Sequence, residues 1–420
     1  MKNNLIFVCL LMMLAACNEL TSEEYFLQGL KKVQKADFTG AEKDFTNGIR
    51  LAPDLPDGYM LRGTAKHGLL DYKGAIEDFT KAIELDTAGI FDIYHKRGTS
   101  KADMGDYEGA IGDFTLAIDR NPYHADAFFN RGTCLLNLNE HASAIADFDM
   151  AIAIKPNYAN AIYNRGFSRK ELGDTAGAMK DFILLFDLYP NHLGSLKQIA
   201  DLSYELMEYE ISLEARDWIY DLDSTDSHNV YKRGLLHFEK NDFKLAIADF
   251  NRVVAMIETT DPMFIEALMA KGRSKRRIGD NRGAIKDYNS VLEINPSHPN
   301  AYINRGLAYV NMDEFQNALN DFSKAIELNP SDANSWFNRA NLKSMLKDQS
   351  GALADIKSAI MNDSTVANYY WIRGVAIISL GDKEQGCEDL VKAIQMGSVA
   401  ASIEFTSYCE DAINPLFLEN

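Results

Sequence analysis

The chain has 420 residues, 46% of them apolar, and a formal net charge of −18. That acidity argues against a surface that neutralises nucleic-acid phosphates, unless a local basic patch exists, and against wholesale adhesion to anionic lipid. Only ten prolines are present and no Gly/Ser-rich or Pro-rich stretch reads as a linker, so the length suits two or three domains or one long array.

The first element in chain order is a targeting segment. Met1-Lys2-Asn3-Asn4 is a short positive start, and Leu5 to Leu14 is an unbroken apolar run. Such a run is too short to span a bilayer and suits a secretory signal, so residues 1–16 are set apart from the fold as a signal peptide. Ala15 and Ala16 are the small residues a signal peptidase needs, and Cys17 follows at once. Leu14-Ala15-Ala16-Cys17 resembles the lipobox of bacterial lipoproteins. The resemblance implies cleavage before Cys17, lipid on its thiol and new amino group, and anchoring at the bacterial outer membrane, on its periplasmic or cell-surface side. Residues 17–21 then form a short spacer.

From residue 22 to 397 the chain repeats itself. Gly63, Gly98, Gly132 and Gly166 recur at intervals of 35, 34 and 34 residues. Ala75, Ala110, Ala144 and Ala178 follow twelve residues later, and Phe79, Phe114, Phe148 and Phe182 four residues beyond those. Pro122, Pro156 and Pro190 close three of these units. Small residues let two antiparallel helices approach, which predicts Gly opposite Ala, with the aromatic filling the space between neighbouring helices and proline ending the second helix. Gly105-Asp106, Gly173-Asp174, Asn241-Asp242 and Gly279-Asp280 read as the turns between paired helices.

This spacing resembles the tetratricopeptide repeat (TPR) family. The resemblance implies an all-α fold, a right-handed solenoid of about eleven helix pairs starting near residues 22, 56, 91, 125, 159, 193, 227, 265, 299, 333 and 367. The sixth unit is degenerate, with Ala200 for the glycine, Ser212 for the alanine and Arg216 for the aromatic, yet Gly166 to Gly234 is twice the period. Three extra residues and Pro262 are expected to lengthen the loop before the eighth unit. Residues 398–420 are expected to supply a capping helix, from about Val399 to Ala412, and a tail, because terminal repeats need a finished outer face.

With the glycine as position 8, position 7 is Arg in most units, with Lys271 standing in once, and position 23 is Asp in all but the sixth, where Ile199 and Ala215 replace both. Joint presence and joint loss predict that the two side chains touch, within one repeat or between neighbours. Recurrence makes the pair structural rather than catalytic.

No recurring or isolated motif carries chemistry. The eight histidines show no H-x-x-x-H or H-E-x-x-H set, no cysteine pair has zinc-ligand spacing, and no phosphate loop or nucleophile elbow is present. The expectation is a non-enzymatic protein without cofactor or metal. Cys387 and Cys409, on the last second helix and the capping helix, are predicted to lie within disulfide reach.

The resemblance implies that positions 2, 5, 6, 9, 12 and 13 face a groove. Position 5 is aromatic at Phe129, Tyr163, Tyr231, Phe337 and Trp371, and position 6 is Asn at Asn130, Asn164, Asn304 and Asn338. An amide that donates and accepts can grip an extended peptide backbone, though Asn is also simply common there. Unit 8 places Arg273, Arg276 and Arg277 at positions 9, 12 and 13 within a run of seven cations, which reads as an anion-binding patch or as a solvated face. The paired Lys and Arg clamp of chaperone-binding TPR domains is not reproduced. The expected function is a scaffold or adaptor that holds an envelope protein or peptide in the groove. A glycan-binding lipoprotein or a spacer without groove ligand are the alternatives. Partner identity and oligomeric state stay open.

Overall fold

The computed structural model describes residues 20–86 and 91–409; the signal segment with Cys17, and residues 410–420, lie outside the described residues. Every regular element described is an α-helix, and the chain divides into two compact units, Met1–Ala215 and Arg216–Asn420. The division falls inside the helix Tyr209–Leu222, the second helix of repeat 6.

In the first unit the described helices pair as Ser22–Val33 with Phe38–Leu51, Pro56–Gly68 with Tyr72–Leu85, Phe91–Asp103 with Tyr107–Arg120, Ala125–Asn137 with His141–Ile154, and Ala159–Glu171 with Thr175–Leu188, followed by Leu193–Glu205. In the second unit they pair as Ser227–Glu239 with Phe243–Met256, Pro262–Arg277 with Asn281–Ile294, Pro299–Val310 with Phe315–Leu328, Ala333–Met345 with Gln349–Asn362, and Ala367–Ser379 with Lys383–Gln395. A final helix, Val399–Cys409, packs on the last pair. Each unit is an α-solenoid in which the first helices of successive repeats also approach one another, so they form a continuous inner face.

The marker residues act through packing. The position-24 aromatics Phe45, Phe79, Phe114, Phe148, Phe182, Phe250, Tyr288 and Phe322 are essentially fully buried. The glycine lies mainly beneath this ring rather than opposite the alanine: a methyl group on Gly132 would meet Phe148 Cε1 at 2.8 Å, and one on Gly306 would meet Phe322 Cε1 at 2.7 Å. Glycine is therefore required by its own repeat's aromatic, while the alanine fits the rest of the helix seam.

Every turn within a described repeat contains one residue with left-handed backbone, always at position 15. Glycine supplies it at 105, 173, 279 and 381, but Leu70 (φ 63°), Met207 (φ 60°) and Lys347 (φ 64°) occupy it elsewhere. The following residue caps the second helix; Asp106 Oδ1 accepts from Gly109 N at 3.0 Å and Asp280 Oδ1 from Gly283 N at 2.9 Å. Repeat 8 departs from the expected long loop. Asp261 caps a helix that starts at Pro262 and runs 16 residues, so the extra residues extend the helix by nearly one turn. Its cap accepts from Met263 N at 2.8 Å, and proline at the first position lacks a donor that would otherwise be orphaned.

Candidate functional site: the inner face and its supports

The Arg–Asp pair forms within the repeat. In eight repeats the arginine Nε and Nη2 donate to the two carboxylate oxygens of the aspartate sixteen residues on, at 2.6–3.0 Å; examples are Arg131 with Asp147 and Arg305 with Asp321. The same guanidinium also reaches the preceding repeat. Arg131 Nη1 donates to Thr115 at 3.0 Å, Arg305 Nη1 to Asn289 at 2.6 Å and Arg339 Nη1 to Ser323 at 2.9 Å. The hydrogen bonds to Asp321 hold the Arg305 guanidinium above its ordinary pKa despite its partial burial.

A second cation at position 11 serves the same buried carboxylate, and the sequence reading had not found it. Lys32, Lys66, Lys101, Arg169, Lys275 and Lys343 approach Asp44, Asp78, Asp113, Asp181, Asp287 and Asp355 at 2.7–2.9 Å. Position 11 is Lys or Arg in six repeats but His237 in one and Leu135, Ser203, Tyr309 and Ile377 in the other four, so the repeat carries the cation only intermittently.

These contacts redistribute the basic run of repeat 8. Lys271 and Lys275 both hold Asp287, at 2.9 and 2.7 Å, and are structural. Arg276 is half-buried with its Nε out of solvent, and its charge acts on the buried phenol of Tyr288, which burial pushes up to about 12. It is not the freely exposed groove arginine the sequence suggested. Arg277 is exposed but turns toward repeat 7, with its guanidinium 5.1 Å from the Phe243 ring and Nη2 donating to Asn241 Oδ1 at 3.4 Å. Arg273 is exposed and lines a cavity of about 240 Å³.

That cavity brings together first helices of repeats 7, 8 and 9. Tyr231 forms one wall, Ile265, Glu266, Met269 and Arg273 lie along one face of the middle helix, and His298, Asn300 and Asn304 close the other side. Met269 is buried at the floor, while Glu266 and Arg273 present opposite charges two helical turns apart. Asn304 Nδ2 donates to Asn300 O within its own helix at 2.8 Å. Of the groove candidates, Tyr231, Arg273 and Asn304 line this cavity, and Glu266 and His298 line it with them.

The other groove candidates lie apart from this cavity. Phe129 is part-buried against Phe148 and Tyr158, at ring distances of 6.1 and 4.9 Å, and Tyr163 packs with Phe182 and His192 at 5.7 and 5.5 Å. Asn130 Nδ2 is 3.0 Å from His95 Nε2, so this amide is engaged by a side chain of the preceding repeat. Asn164 and Asn338 are half-exposed on their first helices. Phe337 stacks against Tyr369 at 5.1 Å. Trp371 is part-buried between two core clusters with its indole nitrogen enclosed, which makes it a packing residue rather than a free anchor.

At the C-terminal end the Sγ atoms of Cys387 and Cys409 are bonded, with Cα atoms 5.9 Å apart, and tie the last helix to the last pair. Cys134 is a buried free thiol whose pKa burial raises to about 11.

A stack of antiparallel helix pairs with a bidentate ion pair in nearly every unit defines a repeat protein of the α-solenoid class. The chain is a tetratricopeptide-repeat protein: models described as tetratricopeptide repeat match residues 56–88, 95–159, 160–192, 299–332 and 322–354, and one described as TPR repeat matches 272–313. No curated protein matches the chain in sequence. Among solved structures, MamA is 26% identical, with 38% of this chain and 93% of that one covered and a TM-score of 0.37. Yeast Tom70 is 14% identical over 93% and 95% of the two chains, with a TM-score of 0.42. A tetratricopeptide repeat protein from Parabacteroides merdae is 18% identical over 67% and 96%, with a TM-score of 0.38.

Proposed function

We propose that this protein is a non-enzymatic adaptor, lipid-anchored through Cys17 at the bacterial outer membrane, that holds a protein segment against the inner face of repeats 7 to 9. The cavity around Tyr231, Met269 and Arg273 carries the reading. It offers an apolar floor, an aromatic wall, an amide side chain and one charge of each sign, which suits an apolar side chain, a peptide backbone and a carboxylate opposite Arg273. Glu266 makes a purely acidic ligand less suitable than one of mixed charge.

The glycan alternative needs an open aromatic face for a sugar ring. Phe129, Tyr163, Tyr231 and Phe337 each pack against another ring, so the opposite charges of Glu266 and Arg273 are what favours the protein reading. The anchor rests on Leu14-Ala15-Ala16-Cys17, and among the described residues no helix is long and apolar enough to cross a membrane.

The test places a photo-crosslinking amino acid at Met269 in the membrane-bound full chain, with exposed Leu245 as comparison. A discrete protein adduct from position 269 that disappears in Arg273→Glu supports the reading. Recovery of polysaccharide moves it to the glycan alternative, and adducts equal at both positions argue for a spacer. Cys17→Ser should release the protein from the membrane fraction; retention without detectable lipid by mass spectrometry would refute the anchor.

A further inference from the structure

We propose that Asp92, His95 and His124 form a binding site for a divalent cation of the zinc type on the inner face of repeats 3 and 4. The three residues come from one helix and the cap of the next first helix: Asp92 and His95 from Phe91–Asp103, and His124, which precedes Ala125–Asn137. One ligand atom from each lies within 4.8 Å of the others, and all three residues are half-exposed. The two imidazole rings are 4.7 Å apart. Two imidazoles and a carboxylate are a donor set for Zn²⁺ and its first-row neighbours, with coordination positions left open.

Asp92 brings the site a negative charge. Asn130 Nδ2 donates to His95 Nε2 at 3.0 Å, so an ion that takes Nε2 displaces this contact, and one that takes Nδ1 requires the amide to present its oxygen to the ring instead. Asp126 adds a second nearby negative charge that acts on His95. The competing contact is an exposed pair between Asp92 and Lys96 at 3.3 Å, an interaction of small net value.

Two further adjustments limit the affinity. A tetrahedral ion with bonds of about 2.1 Å places its ligand atoms about 3.4 Å apart, so the three must close by roughly an ångström. His124 Nδ1 also accepts from Ala127 N at 3.3 Å as a helix cap. A ring nitrogen that takes the ion gives up this contact, either directly or by moving the imidazole proton to Nδ1.

The site is invisible to motif searches because His95 and His124 are 29 residues apart and meet only when consecutive first helices stack. His95 occupies the position held by Phe129, Tyr163 and Tyr231 in other repeats, so a tyrosine there is compatible with the fold.

The experiment is calorimetric titration of Zn²⁺ into the tag-free full chain. The wild type should bind one ion per chain in the micromolar range. His95→Tyr and Asp92→Asn should each weaken binding by more than about tenfold. His192→Asn removes another capping histidine, whose Nδ1 accepts from Ser195 N at 3.0 Å, and should leave binding unchanged. Circular dichroism on each variant separates loss of the site from loss of the fold. Absence of saturable micromolar binding by the wild type, or undiminished binding by the Asp92→Asn/His95→Tyr double variant, overturns the proposal.

Discussion

Two stretches of inner face, in repeats 3–4 and in repeats 7–9, rest on the same supports and display different chemistry. Beneath the first, Arg97 and Arg131 grip Asp113 and Asp147; beneath the second, Arg233 and Arg305 grip Asp249 and Asp321, while Lys271 and Lys275 hold Asp287. At the exposed inner positions the first stretch carries Asp92, His95 and Asn130, and the second carries Tyr231, Glu266, Arg273 and Asn304. The comparison teaches which residues build every repeat and which vary from one repeat to the next. Buried pairs recur because each carboxylate is taken out of water and must be satisfied, whereas the inner-face side chains answer to no such constraint.

The sharpest way to break this division is to cut one support. Asp321→Ala leaves the Arg305 guanidinium without its bidentate partner in a largely buried setting, and should destabilise the array by about 3 kcal/mol in chemical unfolding. Repeat 6 shows the alternative solution, with Ile199 and Ala215 both buried at the two positions. Arg305→Ile combined with Asp321→Ala should therefore cost less than Asp321→Ala alone. If the double variant instead shows the sum of the two single losses, the pair is not acting as a unit.

A second change acts at the end of the stack. Replacing both Cys387 and Cys409 by Ser reopens a 22-residue connection and should cost about 3 kcal/mol by chain-entropy reasoning, felt chiefly in the last pair and Val399–Cys409. Hydrogen exchange should report faster opening there and unchanged protection in repeats 7 to 9. Uniformly faster exchange would contradict the nearest-neighbour picture.

Recognition should respond differently. Tyr231→Ala with Arg273→Glu is expected to weaken a groove ligand by about 2 kcal/mol or more if these are its anchors. Both lie on the inner-face cavity, and Arg273 makes no ion pair with the buried carboxylates. Trp371→Ala should lower stability because the indole is packed between two core clusters; Tyr231 is packed likewise, so Arg273→Glu is the change that reads recognition alone.

The smallest expected effect is a gain. Met207 adopts φ 60° and is 75% exposed, so it bears left-handed strain and offers little packing in return. Met207→Gly should stabilise by about 1 kcal/mol, as glycine does at this kind of turn. Leu70→Gly should behave alike, and a loss of stability in both would show that these side chains do more than their exposure suggests.

Much of this architecture was legible in the sequence. Glycine, alanine and aromatic recur with the period because close helix packing admits few alternatives, and the Arg–Asp pair was visible through its joint loss in repeat 6. Whether the pair formed within or between repeats was not legible: the fork binds its own aspartate while the remaining nitrogen reaches back to Thr115 or Asn289. The position-11 cations hid because Leu135, Ser203, Tyr309 and Ile377 stand there in four repeats and break the pattern. Left-handed turns at Leu70, Met207 and Lys347 hid because those residue types do not advertise positive φ. The direction of Arg276 and Arg277 depends on Tyr288 and Phe243, contacts that position numbers do not specify. The meeting of His95 with His124 is likewise a product of stacking.

The most direct test of the central claim measures binding and stability on the same variant. Membrane-bound full chain carrying a photo-crosslinker at Met269, with and without Arg273→Glu at the exposed rim of the cavity, is compared for adduct yield and for unfolding midpoint. The account predicts that the protein adduct is lost while the midpoint stays within the range of an ordinary surface change, about 0.5 kcal/mol. An adduct retained at full yield in the folded variant would contradict the placing of recognition on the inner face of repeats 7 to 9.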